Sequence, residues 1–162
     1  MITPAQLAEA YALNTRVIQM QAEDLTQADS LIQTPYRINS LNWTLGHIAV
    51  HRDKVLALLD HGPLLSASET ERYGRGSEPV TGEDAGTLTL ENLLEIIDRS
   101  QEIISQRLPE LTPEELEREL PLGKSTTTLA GRLHWYYFHD TYHTGQTELL
   151  RQVAGKNDQI IK

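Results

Sequence analysis

Three of the chain's six histidines fall within ten residues, in "HWYYFHDTYHTGQTELLR" (His134 to Arg151). His139 and His143 stand four apart. On a helix that spacing puts two side chains on one face, one turn apart. Trp135, His139, His143, Gln146, Leu150 and Val153 recur at the steps of a buried seam. His134 falls off it. A lone histidine on an apolar face is usually a hydrogen-bonded core residue. Two on one seam are harder to bury, because each imidazole needs a partner. One divalent cation satisfies both lone pairs at once, and neutral imidazole suits zinc, nickel, iron or copper.

A mononuclear site wants a third protein ligand. The best candidate is His47 in "NWTLGHIAVHRD", with His51, one turn further on, as the alternate. Three histidines leave a coordination position open to water or substrate, the pattern of a catalytic site rather than a structural one. The chain has no cysteine, which excludes disulfides, thiolate ligands and a cysteine nucleophile. Other chemistries lack their motifs. There is no Glu-x-x-His for a di-metal carboxylate bundle. G-x-S-x-G, H-E-x-x-H, G-x-G-x-x-G and the P-loop are absent too.

These residues must be positioned by helices. Thr3-Pro4 opens the first, expected over residues 4–28. Ser40 caps a second, expected over 41–60 and apolar on more than one side, so several neighbours must contact it. Residues 62–87 form a long connection, rich in Gly, Ser, Thr, Glu and Pro. Such a segment is usually functional or mobile, and Tyr73, Arg75 and Glu78 are its candidates for contacts over a pocket. A third amphipathic helix is expected over 89–108, and Thr112-Pro113-Glu114-Glu115 caps a short one over 113–118. The last long helix is expected over 127–153, closed by Gly155. Four long helices with no convincing strand pattern point to an all-α four-helix bundle. A length of 162 residues is most simply one domain, 1–162.

A net charge of −9 makes nucleic acid and acidic membrane surfaces poor partners. No stretch approaches the roughly 20 apolar residues of a membrane span. The start "MITPAQLAEAYALNTR" has no basic-then-apolar leader, so a cytoplasmic location is expected.

At "NWTLGHIAVHRD" and "FHDTYHTGQTELLR" the sequence resembles the DinB/YfiT-like superfamily of metalloenzymes. The second stretch is the more specific, with H-x-x-x-H, then x-G-Q and L-L-R. The resemblance implies a four-helix bundle, often a homodimer, with a long connection between helices two and three. It implies one divalent metal held by His47, His139 and His143. Activities in the superfamily include transferases and isomerases that use a low-molecular-weight thiol: bacillithiol, mycothiol or glutathione. One departure is Thr144, where the family often carries arginine, so no anionic contact is expected from that position.

Other features have two readings each. Gly145, inside a helix, is explicable where another element packs closely. Gln146 either orients a ligand imidazole or is the polar end of the seam. Trp43 and Trp135 either wall a pocket or fill the core. The expected function is a divalent-metal-dependent thiol transferase acting on a small electrophile. The alternatives are a metal-dependent hydrolase, a non-enzymatic metal- or ligand-binding bundle, and a bundle with no metal at all.

Overall fold

The computed structural model describes residues 2–82 and 84–161. Helix α1 (Pro4–Ala22) starts at a capping box: Thr3 accepts from the Gln6 amide, and Gln6 accepts from the Thr3 amide. It stops short of the expected residue 28. Asp24 adopts a left-handed φ of 60°, and Thr26 opens a separate turn, α2 (Gln27–Ser30), with its own capping box to Asp29. Helical spacing carried on past the break, because nothing in Glu23-Asp24 forbids a helix outright; aspartate merely tolerates the left-handed region better than most.

Ser40 caps α3 (Leu41–Leu58). Every residue from Leu41 to Val50 is buried, as expected of a helix contacted on several sides. Within the long connection, Ser66 caps α4 (Ala67–Arg72). Helix α5 (Leu90–Arg107) starts at Thr89 and runs into a 3-10 turn, Leu108–Glu110. The Thr112 box starts α6 (Pro113–Leu116).

The stretch before the last helix is a hairpin, where no strand pattern was expected. β1 (Glu119–Leu122) pairs antiparallel with β2 (Ser125–Thr128), Leu122 opposite Ser125. Gly123 turns it at φ 59°, matching the twist of a two-residue turn. The last helix was expected from residue 127, but Thr127 and Thr128 belong to β2, as suits β-branched residues. Thr128 then caps α7 (Leu129–Val153).

Helix α3 packs on α5 and α7, and α1 packs on the same two. Two apolar clusters fill the interior. One gathers Ile18, Leu45, Ile48, Leu93 and Ile97 around Tyr73. The other joins Leu7, Tyr11, Leu56, Ile104 and Leu133. Between their residues, all four long helices contribute buried polar groups: Asn14 and Thr15, Arg52, Ser100 and Gln101, and Asp140. Arg52 and Asp140 are 1% and 2% exposed and form a two-pronged ion pair, Nε to Oδ2 at 2.8 Å and Nη2 to Oδ1 at 3.2 Å. Arg52 Nη1 also donates to Thr15 Oγ1 and to the Ile97 carbonyl, and Asn14 donates to Asp140. Among the described residues, no helix is long and apolar enough to cross a membrane.

Candidate metal centre

α3 carries His47 and His51 one turn apart, and α7 carries His139 and His143 one turn apart. Because the two helices pack together, all four rings meet. The ring centroids of His47 lie 4.6 Å from His51, 5.1 Å from His139 and 5.0 Å from His143. His139 stands 3.7 Å from His51 and 4.5 Å from His143. One ligand nitrogen each from His47, His51 and His139 lie within 4.8 Å of one another. The other two histidines stand apart: exposed His134 lines a separate apolar cleft near Pro4, and His61 bonds its neighbour's carbonyl.

The nitrogens divide into two kinds. His47 Nδ1 lies 2.9 Å from the Tyr73 carbonyl, and His143 Nδ1 lies 2.7 Å from Gln146 Oε1. Both partners only accept, so both Nδ1 atoms carry the proton and each Nε2 presents a lone pair. That is how histidines are oriented for a metal. His51 Nδ1 and His139 Nδ1 are buried with no partner. A buried polar atom left unpaired costs about 1–3 kcal/mol.

Burial also keeps the rings neutral. It lowers the pKa of His47 and of His139 to about 4 each, and that of His51 to about 2. For His47 the Tyr73 carbonyl opposes this, and the neighbouring His143 adds to it. For His139 and His51 the other imidazoles add to the burial effect. His143 is lowered as well, by burial, against the pull of Gln146. Four neutral imidazoles, two aimed by hydrogen bonds and two with an orphaned nitrogen, fit a divalent first-row cation.

Tyr73 works from the interior rather than as a lid. Its ring occupies the space a Cβ would need at Gly46, so only glycine fits there. Its hydroxyl donates to Asn42 Oδ1 and accepts from the Leu88 amide. The connection is thereby pinned to the helix that bears His47. Arg75 reaches the cavity described below. Glu78 is exposed, and only its backbone carbonyl is engaged, by Arg72.

The histidine seam is rotated from its expected place. Trp135 is 49% and Val153 39% exposed, while His139, His143 and Gln146 are half-buried. Of the expected seam Leu150 is buried, and the rest of the interior face of α7 is Leu129, Leu133, Asp140, Thr144, Thr147 and Arg151. Those polar residues can be buried because Thr144 and Thr147 donate back to helix carbonyls, Arg151 to the carbonyls of Gln21 and Glu23. The histidines therefore line a flank, not the axis. Gly145 meets nothing within 4 Å, so close packing does not explain it.

That flank is a cavity of about 820 Å³. Trp43 stacks on His47 at 4.5 Å and 13°, and Trp135 on His139 at 5.5 Å and 28°. Both tryptophans thus wall the site. Arg37, Lys54 and Arg75 line it as well, and no carboxylate does among the described residues.

Sequence reasoning missed the partner of Arg52, the Tyr73 carbonyl, and the Arg37 and Lys54 side chains. One signal was present: an arginine inside the apolar stripe of α3 needs a buried acid, and Asp140, beside His139, is the acid on the facing helix.

The profile of the DinB superfamily matches residues 6–147. A crystal structure described as the conserved protein of a locus from Enterococcus faecalis superposes with a TM-score of 0.74 at 19% identity, covering 95% of this chain and 98% of that one. At that identity the likeness speaks to the fold alone. No curated protein matches the chain.

Proposed function

The chain belongs to the DinB superfamily, and from that premise we propose that it is a divalent-metal-dependent enzyme of the thiol-transferase type, built as one four-helix bundle over residues 1–162. The observation that carries this reading is the cluster of four neutral imidazoles facing an open cavity. These histidines would hold a divalent cation, which would supply Lewis-acid activation of a thiol or water as nucleophile. With no cysteine in the chain, the thiol is a small molecule from outside.

The proposed ligands are His47, His139 and His143. The distance criterion alone groups His47, His51 and His139, but ring orientation favours the first set. An imidazole lone pair lies in the ring plane. His51 and His139 are stacked at 3.7 Å with planes 22° apart, so an ion lying in the plane of one ring is well out of the plane of the other, which disfavours this pair as joint ligands. The planes of His47 and His139 cross at 50°, those of His47 and His143 at 75°, and those of His139 and His143 at 60°. His51 is then a stacking neighbour and the alternate ligand. Tyr73 and Gln146 hold two of the ligands in their tautomer, and the tryptophans exclude water from two sides.

A homodimer fits the surface. Phe138 (61% exposed), Tyr142 and Leu149 follow one another with Gly145 along an open face of α7. Phe138 is the most exposed of the three, while Tyr142 and Leu149 also line the cavity.

The test is elemental analysis of protein purified without nickel-affinity resin, beside His143→Ala and His51→Ala. About one first-row metal per chain, lost in His143→Ala and kept in His51→Ala, is the expected result. The metal-loaded protein should then consume a thiol from a low-molecular-weight panel in the presence of a model electrophile. Substrate loss without any thiol would select the hydrolase instead. Ligand retention without turnover would select a binding protein.

A further inference from the structure

The charges around the cavity run against the rest of the molecule. The chain has 23 acidic residues against 14 lysines and arginines, yet the cavity's charged lining is Arg37, Lys54 and Arg75 alone. These come from three separate places: the segment before α3, the outer turn of α3 beyond His51, and the connection after α4. Among the described residues, the ion pairs are Arg52–Asp140, Arg72–Asp84 and Arg151–Asp158, so none of the three lining cations is neutralised by a carboxylate. A second cleft, between α1 and α5, shows the contrast: its charged lining is Glu91, Glu95 and Asp98. Thr144 is buried on the Asp140 carbonyl and adds no charge to the site.

Resting on the reading of this cavity as the reaction site, we infer that its substrate or thiol is anionic. Its carboxylate or phosphate groups would be met at the mouth by Arg37, Lys54 and Arg75, and its reactive end would reach the histidines. The guanidinium fork suits carboxylate and phosphate alike, and among the described residues neither arginine is engaged in an ion pair. Trp43, Trp135 and Tyr142 offer the body of the molecule apolar faces. Field lines from like charges around a concave wall concentrate counter-ions there, and the effect falls with salt.

The two tryptophans of the chain both line this cavity, so their fluorescence reports its occupancy. The experiment titrates wild type, with and without metal, with three thiols: neutral thioglycerol, mercaptosuccinate and 3-mercaptopropylphosphonate. Succinate serves as a dianion without a thiol. Three exposed ion pairs together give a preference on the order of tenfold for the anionic thiols at low salt. That preference should shrink at high salt. It should vanish in Arg37→Met/Lys54→Met/Arg75→Met, while thioglycerol and metal affinity stay unchanged. Lys54→Met alone should lose part of it. The stronger of the two anionic thiols tells carboxylate from phosphate. Equal binding of neutral and anionic thiols by wild type, or a preference that survives the triple variant, overturns the inference and leaves the metal reading standing. A cation-dependent preference for succinate, in protein that takes up no metal, upholds the inference and removes the metal reading.

Discussion

Two polar clusters lie side by side on α3 and α7, and they are finished differently. Arg52 follows His51 in sequence, and Asp140 follows His139. Arg52 and Asp140 point into the bundle, where charged hydrogen bonds go to each other, to Thr15, to Asn14 and to a backbone carbonyl. The histidines point outward into the cavity, where two Nδ1 atoms have no partner and two Nε2 atoms are left free. A saturated network holds structure. An unsaturated one at a cavity wall is held ready for something else.

The sharpest way to break that contrast is to unbalance the saturated side. Arg52→Ala or Asp140→Ala alone leaves a buried charge without its counter-charge and should cost about 3–5 kcal/mol in urea unfolding. Arg52→Met/Asp140→Leu removes both charges and should recover most of that loss. A double variant as unstable as the singles would show that the pair does more than balance itself.

On the unsaturated side the ranking inverts. His47→Ala or His143→Ala should abolish tight metal binding, yet shift the unfolding midpoint of the metal-free protein far less than Asp140→Ala does. Gln146→Leu should weaken metal binding by about 10- to 100-fold through loss of ligand orientation, measured by competition with a chelator. His134→Ala should leave both quantities unchanged and is the baseline for the series.

Proton linkage separates the clusters once more. The cavity histidines have folded-state pKa values below the ordinary 6.5, at about 4 for His47 and His139. The unfolded chain therefore takes up protons first as the pH falls. Stability of the metal-free protein should be level above about pH 6.5 and decline from there toward pH 4. Chemical denaturation across that window should show a shallower decline in His51→Ala, which deletes the most depressed of the four.

Much of this was legible in residue types. Thr3, Ser40 and Thr112 each announced a helix start, and the all-round apolarity of α3 announced its enclosure. The spacing of His139 and His143 and the setting of His47 pointed to the surface where four rings meet. What escaped detection has physical causes. Thr144 and Thr147 look polar but hide their hydroxyls on helix carbonyls, so the interior face of α7 lies rotated from the expected seam, which shares only Leu150 with it. The Arg52–Asp140 pair spans 88 positions, beyond any local pattern. The turn at Asp24 and the Gly123 hairpin rest on backbone angles that side-chain periodicity does not register.

The division of the histidines between α3 and α7 also has a consequence for synthesis. On a ribosome, His47 and His51 emerge long before His139 and His143, with all of α5 still to follow. A lone pair of imidazoles on a half-made chain is a weak chelator. If the site takes a metal, full affinity would arrive only when the last helix docks, so that metal capture and completion of the fold would be a single event. An unfinished chain would then have little means of sequestering metal, and a finished one would gain stability from it.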